Sequence, residues 1–148
     1  MQNKRVKYFY EGTDFPFSDR KALKRFIESV FRKEEATLKN LNIIFCTDKF
    51  LLEMNRQHLQ HNYYTDIITF PLSVKGNPIE AELYISIERV RENAKLNKTS
   101  FRKELHRVIF HGCLHLTGYN DKSSQQIRMI REREEYYMRL YFQHLKRL

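Results

Sequence analysis

Two hydrophobic periods alternate along this 148-residue chain. Val6, Tyr8 and Tyr10 interleave with Lys7 and Phe9, the period of a strand, and Leu23, Phe26, Ile27, Val30 and Phe31 then recur at helical spacing after Ser18. "LNIIFCT" (Leu41–Thr47) is apolar on both faces, which predicts a strand inside a sheet. Thr47 is a natural cap for a following helix of about three turns, with Phe50, Leu51 and Met54 turned inward. "TDIITFPL" predicts a strand ended by Pro71 and "AELYIS" another, and the turn-rich "VKGNPIE" between them suits a hairpin, so the sheet is expected to be mixed. Ser86 caps a helix through Val90 and Ala94, and Ser100 caps one from Phe101 to about Leu116. Ser123 with Gln126 forms a capping-box pattern that opens a long terminal helix through Ile127, Ile130, Tyr137, Leu140 and Tyr141.

This pattern predicts an α+β fold, a small mixed four-stranded sheet packed with about five helices, in one domain over residues 1–148. Composition agrees: 41% hydrophobic residues with only 4 Gly and 3 Pro describes an ordered chain, uninterrupted by repeats or low-complexity tracts. There is no run of about 18 apolar residues and no apolar stretch in "MQNKRVKYFY", so neither a membrane span nor a signal peptide is expected. Cys46 and Cys113 are the only cysteines, and Cys46 sits in an apolar run; no disulfide framework is expected, which fits the cytoplasm. The net charge of +9 favours a polyanionic partner, RNA or DNA, although charge alone describes a soluble basic surface equally well.

The candidate chemistry lies in "HGCLHLTGYND", His111 to Asp121. At about 100° per residue, His111 and His115 fall almost one above the other, with Glu104 near the same line two turns earlier. Leu105, Val108, Ile109, Phe110, Cys113, Leu114 and Leu116 make the rest of that helix apolar, so it is expected to be buried with its polar stripe facing a site at its end. Two imidazoles at that spacing can each direct one nitrogen at a single divalent ion. Gly118 can reverse the chain, after which Asn120 or Asp121 can return an oxygen ligand. Three ligands leave a fourth position for water, and a divalent ion lowers the pKa of that water towards about 7. A bare histidine pair is more often structural; the buried helix, the glycine and the carboxylate together favour a metal. His106 falls on the apolar side and is expected to be packed, and His144, near the basic end of the chain, to be solvated. A metallopeptidase of the H-E-x-x-H kind needs a Glu where this chain has Gly112, so peptide hydrolysis lacks its proton acceptor.

"HGCLHLTGYND" resembles the H-G-x-L-H-L-x-G-Y-D-H signature of the YbeY family of bacterial endoribonucleases. "TDIITF", "ELYIS", "ERVRENA" and their spacing resemble the family too, over roughly Leu41 to Tyr119, about half the chain. The resemblance implies a zinc-dependent endoribonuclease, directed at single strands, that matures ribosomal RNA ends, especially of the small ribosomal subunit, and assists ribosome quality control. It implies one zinc ion per chain on His111, His115 and Asp121, with Asp121 where the family usually has His and Asn120 where it has Asp. A carboxylate is a competent zinc ligand, though a harder oxygen can shift metal preference. The family's usual Arg ahead of the "T-D" block is replaced here by Leu59.

Arg56, His58 and His61 lie close to Leu59 in sequence and are candidates for holding RNA, with Arg56 and His61 also candidates for a catalytic role; a solvated helix end and loop is an equal reading. Tyr63 and Tyr64 could stack exposed bases or be ordinary tyrosines among 9. Leu59 also favours an alternative of another class: a ribosome-assembly or RNA-binding factor with a structural metal and little catalysis.

Overall fold

Regular elements form where the hydrophobic period is sustained, and their order follows the alternation in the sequence. The computed structural model describes residues 5–60 and 64–146. A first strand β1 (Val6–Glu11) leads through α1 (Arg20–Lys33) into β2 (Leu38–Cys46) and α2 (Asp48–Leu59). Then come β3 (Ile67–Pro71), β4 (Ile79–Ser86), and three consecutive helices, α3 (Ile87–Leu96), α4 (Phe101–Leu116) and α5 (Ser124–Lys146). The sheet order is β1-β2-β4-β3, with β1, β2 and β4 parallel and β3 antiparallel to β4. This is an α+β fold with a mixed four-stranded sheet, and β2 is internal, as its two-sided apolar character predicts. Pro71, which cannot donate to a ladder, ends the edge strand β3.

The two sheet faces are covered differently. Leu41, Ile43 and Phe45 of β2 and Ala81, Leu83 and Ile85 of β4 point to one face and are fully buried under α1 and α4. The opposite face carries a smaller cluster in which Leu51 of α2 meets Cys46 and Ile68, with Phe50, Met54, Phe70 and Tyr84 around it. Phe50, Leu51 and Met54 turn to that face as the sequence predicts, Leu51 buried and the other two half-buried, and Leu52 and Asn55 of the same helix are buried as well.

Four of the five helix starts follow the predicted caps. The hydroxyls of Thr47, Ser86, Ser100 and Ser123 accept from the backbone N–H of Phe50, Arg89, Lys103 and Gln126, each at 3.1 Å, and Gln126 returns its Oε1 to the Ser123 N–H at 3.2 Å. The exception is α1. Its cap is Asp19, one residue after the predicted Ser18, and it makes no side-chain capping bond. That carboxylate is engaged elsewhere, accepting from His106 Nε2 at 2.7 Å and from the Tyr141 hydroxyl, with Arg102 at 3.4 Å. Burial alone would raise the pKa of Asp19, but hydrogen bonds from His106 and Tyr141 and the charges of His106 and Arg102 outweigh it and hold the carboxyl far below its usual range. His106 is therefore packed on the apolar side, as expected, but as one member of a polar group that ties α4 to α1 and α5. His144 is exposed, again as expected.

Helix α4 is the axis of the molecule, lying between the sheet and α5 with Leu105, Val108, Ile109, Phe110, Cys113 and Leu114 buried. Gly112 lets it approach closely: a Cβ there would stand 2.7 Å from Ile67 Cδ1 and 3.0 Å from both terminal methyls of Leu83. Among the described residues, no helix is long and apolar enough to cross a membrane.

Candidate metal centre

The last turn of α4 sets the candidate site. His111 and His115 leave the same side of the helix, and their rings meet almost at right angles with centroids 4.5 Å apart. Their Nε2 atoms are 3.0 Å apart. Beyond Leu116 the chain reverses at Gly118, whose φ of 115° is one that side chains rarely adopt. The Gly118 N–H then reaches the His115 carbonyl and the Tyr119 N–H the Leu114 carbonyl, both at 3.1 Å. This reversal brings back Asp121, not Asn120: Asp121 Oδ2 lies 3.3 Å from His115 Nε2 and 3.5 Å from His111 Nε2.

Hydrogen bonding on the far side of each ring decides what the near side can do. His111 Nδ1 faces Glu134 Oε2 at 2.5 Å, and His115 Nδ1 faces the Tyr119 carbonyl at 2.8 Å. An ionised carboxylate and a carbonyl can only accept, so each Nδ1 carries the proton and, in the neutral ring, each Nε2 presents a lone pair. Two lone pairs and a carboxylate oxygen facing one another repel unless a cation lies between them. A tetrahedral ion with bonds of about 2.1 Å separates its ligand atoms by about 3.4 Å; the three separations here, 3.0, 3.3 and 3.5 Å, have that size. His111, His115 and Asp121 thus form a group that could hold a metal ion, with all three ligand atoms within 4.8 Å.

Behind the histidines is a support that the sequence pattern does not disclose. Glu134 is buried on α5 and also accepts from Arg107 Nη1 at 2.9 Å; Arg107 holds Glu104 through a second pair at 2.7 and 3.0 Å. Glu104, which the helical line places near the histidines, is thus turned to Arg107. Burial tends to raise the pKa of Glu134, but the hydrogen bond from His111 and the charge and hydrogen bond of Arg107 prevail and lower it. Hydrogen bonding to Glu104 holds the Arg107 guanidinium above its ordinary pKa against burial. Glu34, at the end of α1, accepts from the Tyr119 hydroxyl and Arg133 Nε, both at 2.8 Å, and from the Tyr137 hydroxyl, so the residue whose carbonyl orients His115 is pinned as well. The "T-D" block contributes Asp66, whose carboxyl burial holds above its usual pKa although Arg107 and His111 pull it down. A cleft of about 540 Å³ opens beside His115, between the β3–β4 loop and the ends of α1 and α4.

The remaining sequence candidates are placed elsewhere or fall outside the description. Arg56 and His58 belong to α2, on the other sheet face; Arg56 pairs with Glu53 at 3.1 Å and the His58 ring meets Phe70 edge-on. Leu59 is exposed at the end of the same helix. Tyr64 is exposed with the Arg89 guanidinium 5.3 Å from its ring centre. His61 and Tyr63 lie outside the described residues. Glu134 and Arg107 were missed, and one signal could have found the first: Glu134 occupies a position of the stripe Ile130, Tyr137, Tyr141 where an apolar residue is expected.

Glu134→Gln tests this support. The neutral amide still offers an acceptor to His111 but no charge, and it leaves Arg107 with Glu104 alone; metal affinity should fall about 10- to 100-fold in a competition titration with a chromophoric chelator. An unchanged affinity would show that Glu134 does not orient His111.

Comparisons with known proteins agree over most of the chain. A family model described as Endoribonuclease YbeY matches residues 10–141. The Endoribonuclease YbeY of Cytophaga hutchinsonii is 42% identical over 135 residues, 91% of this chain and 94% of the relative. That of Amoebophilus asiaticus is 41% identical over 138 residues, 93% of this chain and 94% of the relative. The solution structure of a Thermotoga maritima protein superimposes with a TM-score of 0.66 at 27% identity, covering 95% of this chain and 91% of that one.

Proposed function

The chain belongs to the YbeY endoribonuclease family, RNA-cleaving hydrolases, and from that premise we propose that it is a zinc-dependent enzyme cutting single-stranded RNA. Its physiological task, on this reading, is maturation of ribosomal RNA 3′ ends on the small ribosomal subunit, with a part in ribosome quality control, carried out in the cytoplasm by one domain spanning residues 1–148. The observation that carries the reading is the convergence of His111 Nε2, His115 Nε2 and Asp121 Oδ2 on one point with both Nδ1 atoms committed elsewhere.

His111, His115 and Asp121 would hold one zinc ion, which when bound polarises a phosphate oxygen and makes water a better nucleophile near neutral pH. The protein's own residues do the rest. Glu134 and the Tyr119 carbonyl fix both imidazoles in the liganding tautomer, and the cleft beside His115 admits a strand to the site. Arg56, His58 and His61 stay candidates for contacting RNA, with Arg56 and His61 also candidates in catalysis, on the far end of α2 and the segment after it.

Leu59, where the family's usual Arg is missing, supports a second reading: an RNA-binding assembly factor whose metal is structural. One experiment separates the two. Cleavage of unstructured RNA is measured on protein as purified, after chelation, and after reloading with one equivalent of zinc, with circular dichroism followed in parallel because metal loss can unfold a small domain. Loss and return of cleavage with the fold retained supports the enzyme. Folded, zinc-loaded protein that binds RNA without cutting it supports the assembly factor.

A further inference from the structure

The arginines behind the candidate metal centre are engaged, while Lys75 lines the cleft beside it. Arg107 is spent on Glu104 and Glu134, Arg133 on Glu34, and Asp66 and Asp121 add negative charge. The net charge of +9 is therefore carried largely by groups away from the centre. One group of them lies at the other end of α4. A recess of about 860 Å³ between the starts of α1 and α4 and the end of α5 is lined by Arg20, Lys21, Arg102, Lys103 and Lys146. Its one carboxylate, Asp19, is already shared by His106, Tyr141 and Arg102. Lys21, Lys103 and Lys146 have no ion-pair partner among the described residues, and Arg102 is held with its guanidinium 5.7 Å from the centre of the Phe142 ring.

The recess is linked to the metal centre along the helix. Lys103, Arg107, His111 and His115 succeed one another at four-residue steps on α4. Lys103 also lines a second cavity, about 240 Å³, together with Arg107 and Arg131. Arg131 of α5 is exposed and unpaired among the described residues, so it and Lys103 mark a path of positive charge between the two ends.

We propose that the recess of Arg20, Lys21, Arg102, Lys103 and Lys146 is a second RNA anchor, holding the phosphate backbone of a long RNA while another part of the same molecule lies at the metal centre. Arg102 and His115 are thirteen residues apart on one helix, about 20 Å at 1.5 Å per residue. At about 3.4 Å per stacked nucleotide, a strand needs about six nucleotides to cover that distance and more to pass around the helix. The anchor therefore acts on long substrates and not on very short ones. It lowers KM without touching the chemical step, because uniform binding does not change the barrier from the bound state.

The proposal rests on RNA being the substrate, and its test keeps the two apart. Lys21, Lys103 and Lys146 are changed together to Glu; a control changes Lys7, Lys49 and Lys95, exposed lysines elsewhere, so that net charge shifts equally. Affinity for a long unstructured RNA is measured against salt, and cleavage is measured on that RNA and on an oligonucleotide too short to reach the recess. The recess variant should lose about 10- to 100-fold in affinity for the long RNA, with the salt slope falling by about 2 for three lost contacts at about 0.7 each. The control should lose far less, and kcat/KM on the short oligonucleotide should be the same in all three proteins. Lys→Gln at the same three positions gives a smaller change in the same direction and guards against misfolding of the Glu variant. Equal losses in recess and control variants, or long-RNA binding unaltered in the recess variant, overturn the anchor. Failure of the unaltered, metal-loaded protein to cut either RNA overturns the nuclease reading instead, and failure to bind the long RNA overturns RNA as the partner.

Discussion

His115→Ala should yield a folded protein that neither retains zinc nor cuts RNA. The imidazole offers one of three converging ligand atoms, and its Nε2 is the one nearest both others, 3.0 Å from His111 and 3.3 Å from Asp121. Without it, a histidine and an exposed carboxylate remain, too few to define a tetrahedral site. A bound ion contributes several kcal/mol of transition-state stabilisation, and about 4 kcal/mol corresponds to about a thousand-fold in rate, so cleavage should fall by at least that factor. Folding should survive because the side chain is partly exposed and Ala is the best helix former at this position near the end of α4. Metal content by elemental analysis, circular dichroism and cleavage of a single-stranded RNA are measured on the same preparation. His144→Ala, at an exposed position, should leave all three unchanged. Undiminished cleavage by a metal-free His115→Ala protein would sink the assignment of the centre.

What the sequence makes legible here is what depends on neighbours within a turn or two. The caps at Thr47, Ser86, Ser100 and Ser123 are satisfied within three residues, and the strands show their period without reference to the rest of the chain. The same locality explains the near miss at α1: whether Asp19 caps its own helix depends on His106 and Tyr141, distant in sequence and adjacent only after folding. The histidine pair is legible because α4 alone sets its spacing, and the return of a candidate third ligand is legible from Gly118; that Asp121 is the residue brought within 3.3 Å of His115 is a matter of the folded turn, whose Tyr119 side chain is held by Glu34. Glu134 is illegible as a partner of His111 because the two helices must pack before the carboxylate has anything to accept. Arg56 and His58 lie on α2, over the other face of the sheet, where the His58 ring meets Phe70 of the strand that follows the "T-D" block; that placement depends on how α2 packs and is not written in their distance along the chain.

Gly112→Glu, which would write the metallopeptidase pattern into this helix, should unfold the protein instead of giving it a new proton acceptor. Position 112 points at the sheet, one step of about 100° round the helix from His111. Even a Cβ meets Ile67 Cδ1 at 2.7 Å and both Leu83 methyls at 3.0 Å, and Leu83 has no exposed surface into which to retreat. For Gly112→Ala, overpacking of about 1–3 kcal/mol is offset by about 1 kcal/mol of helix propensity, leaving a modest net loss. Glutamate adds the rest of its side chain and a carboxylate with no partner in that wall, a cost of several kcal/mol against a total stability of about 5–15 kcal/mol. Urea titrations followed by circular dichroism should show a slightly lowered midpoint for the alanine variant and no cooperative transition for the glutamate variant. A Gly112→Glu protein with an unaltered midpoint would mean that α4 does not rest on β3 and β4 as described. Peptidase chemistry is therefore excluded here by packing as well as by residue type: the position that would carry its base is the contact that seats the histidine helix on the sheet.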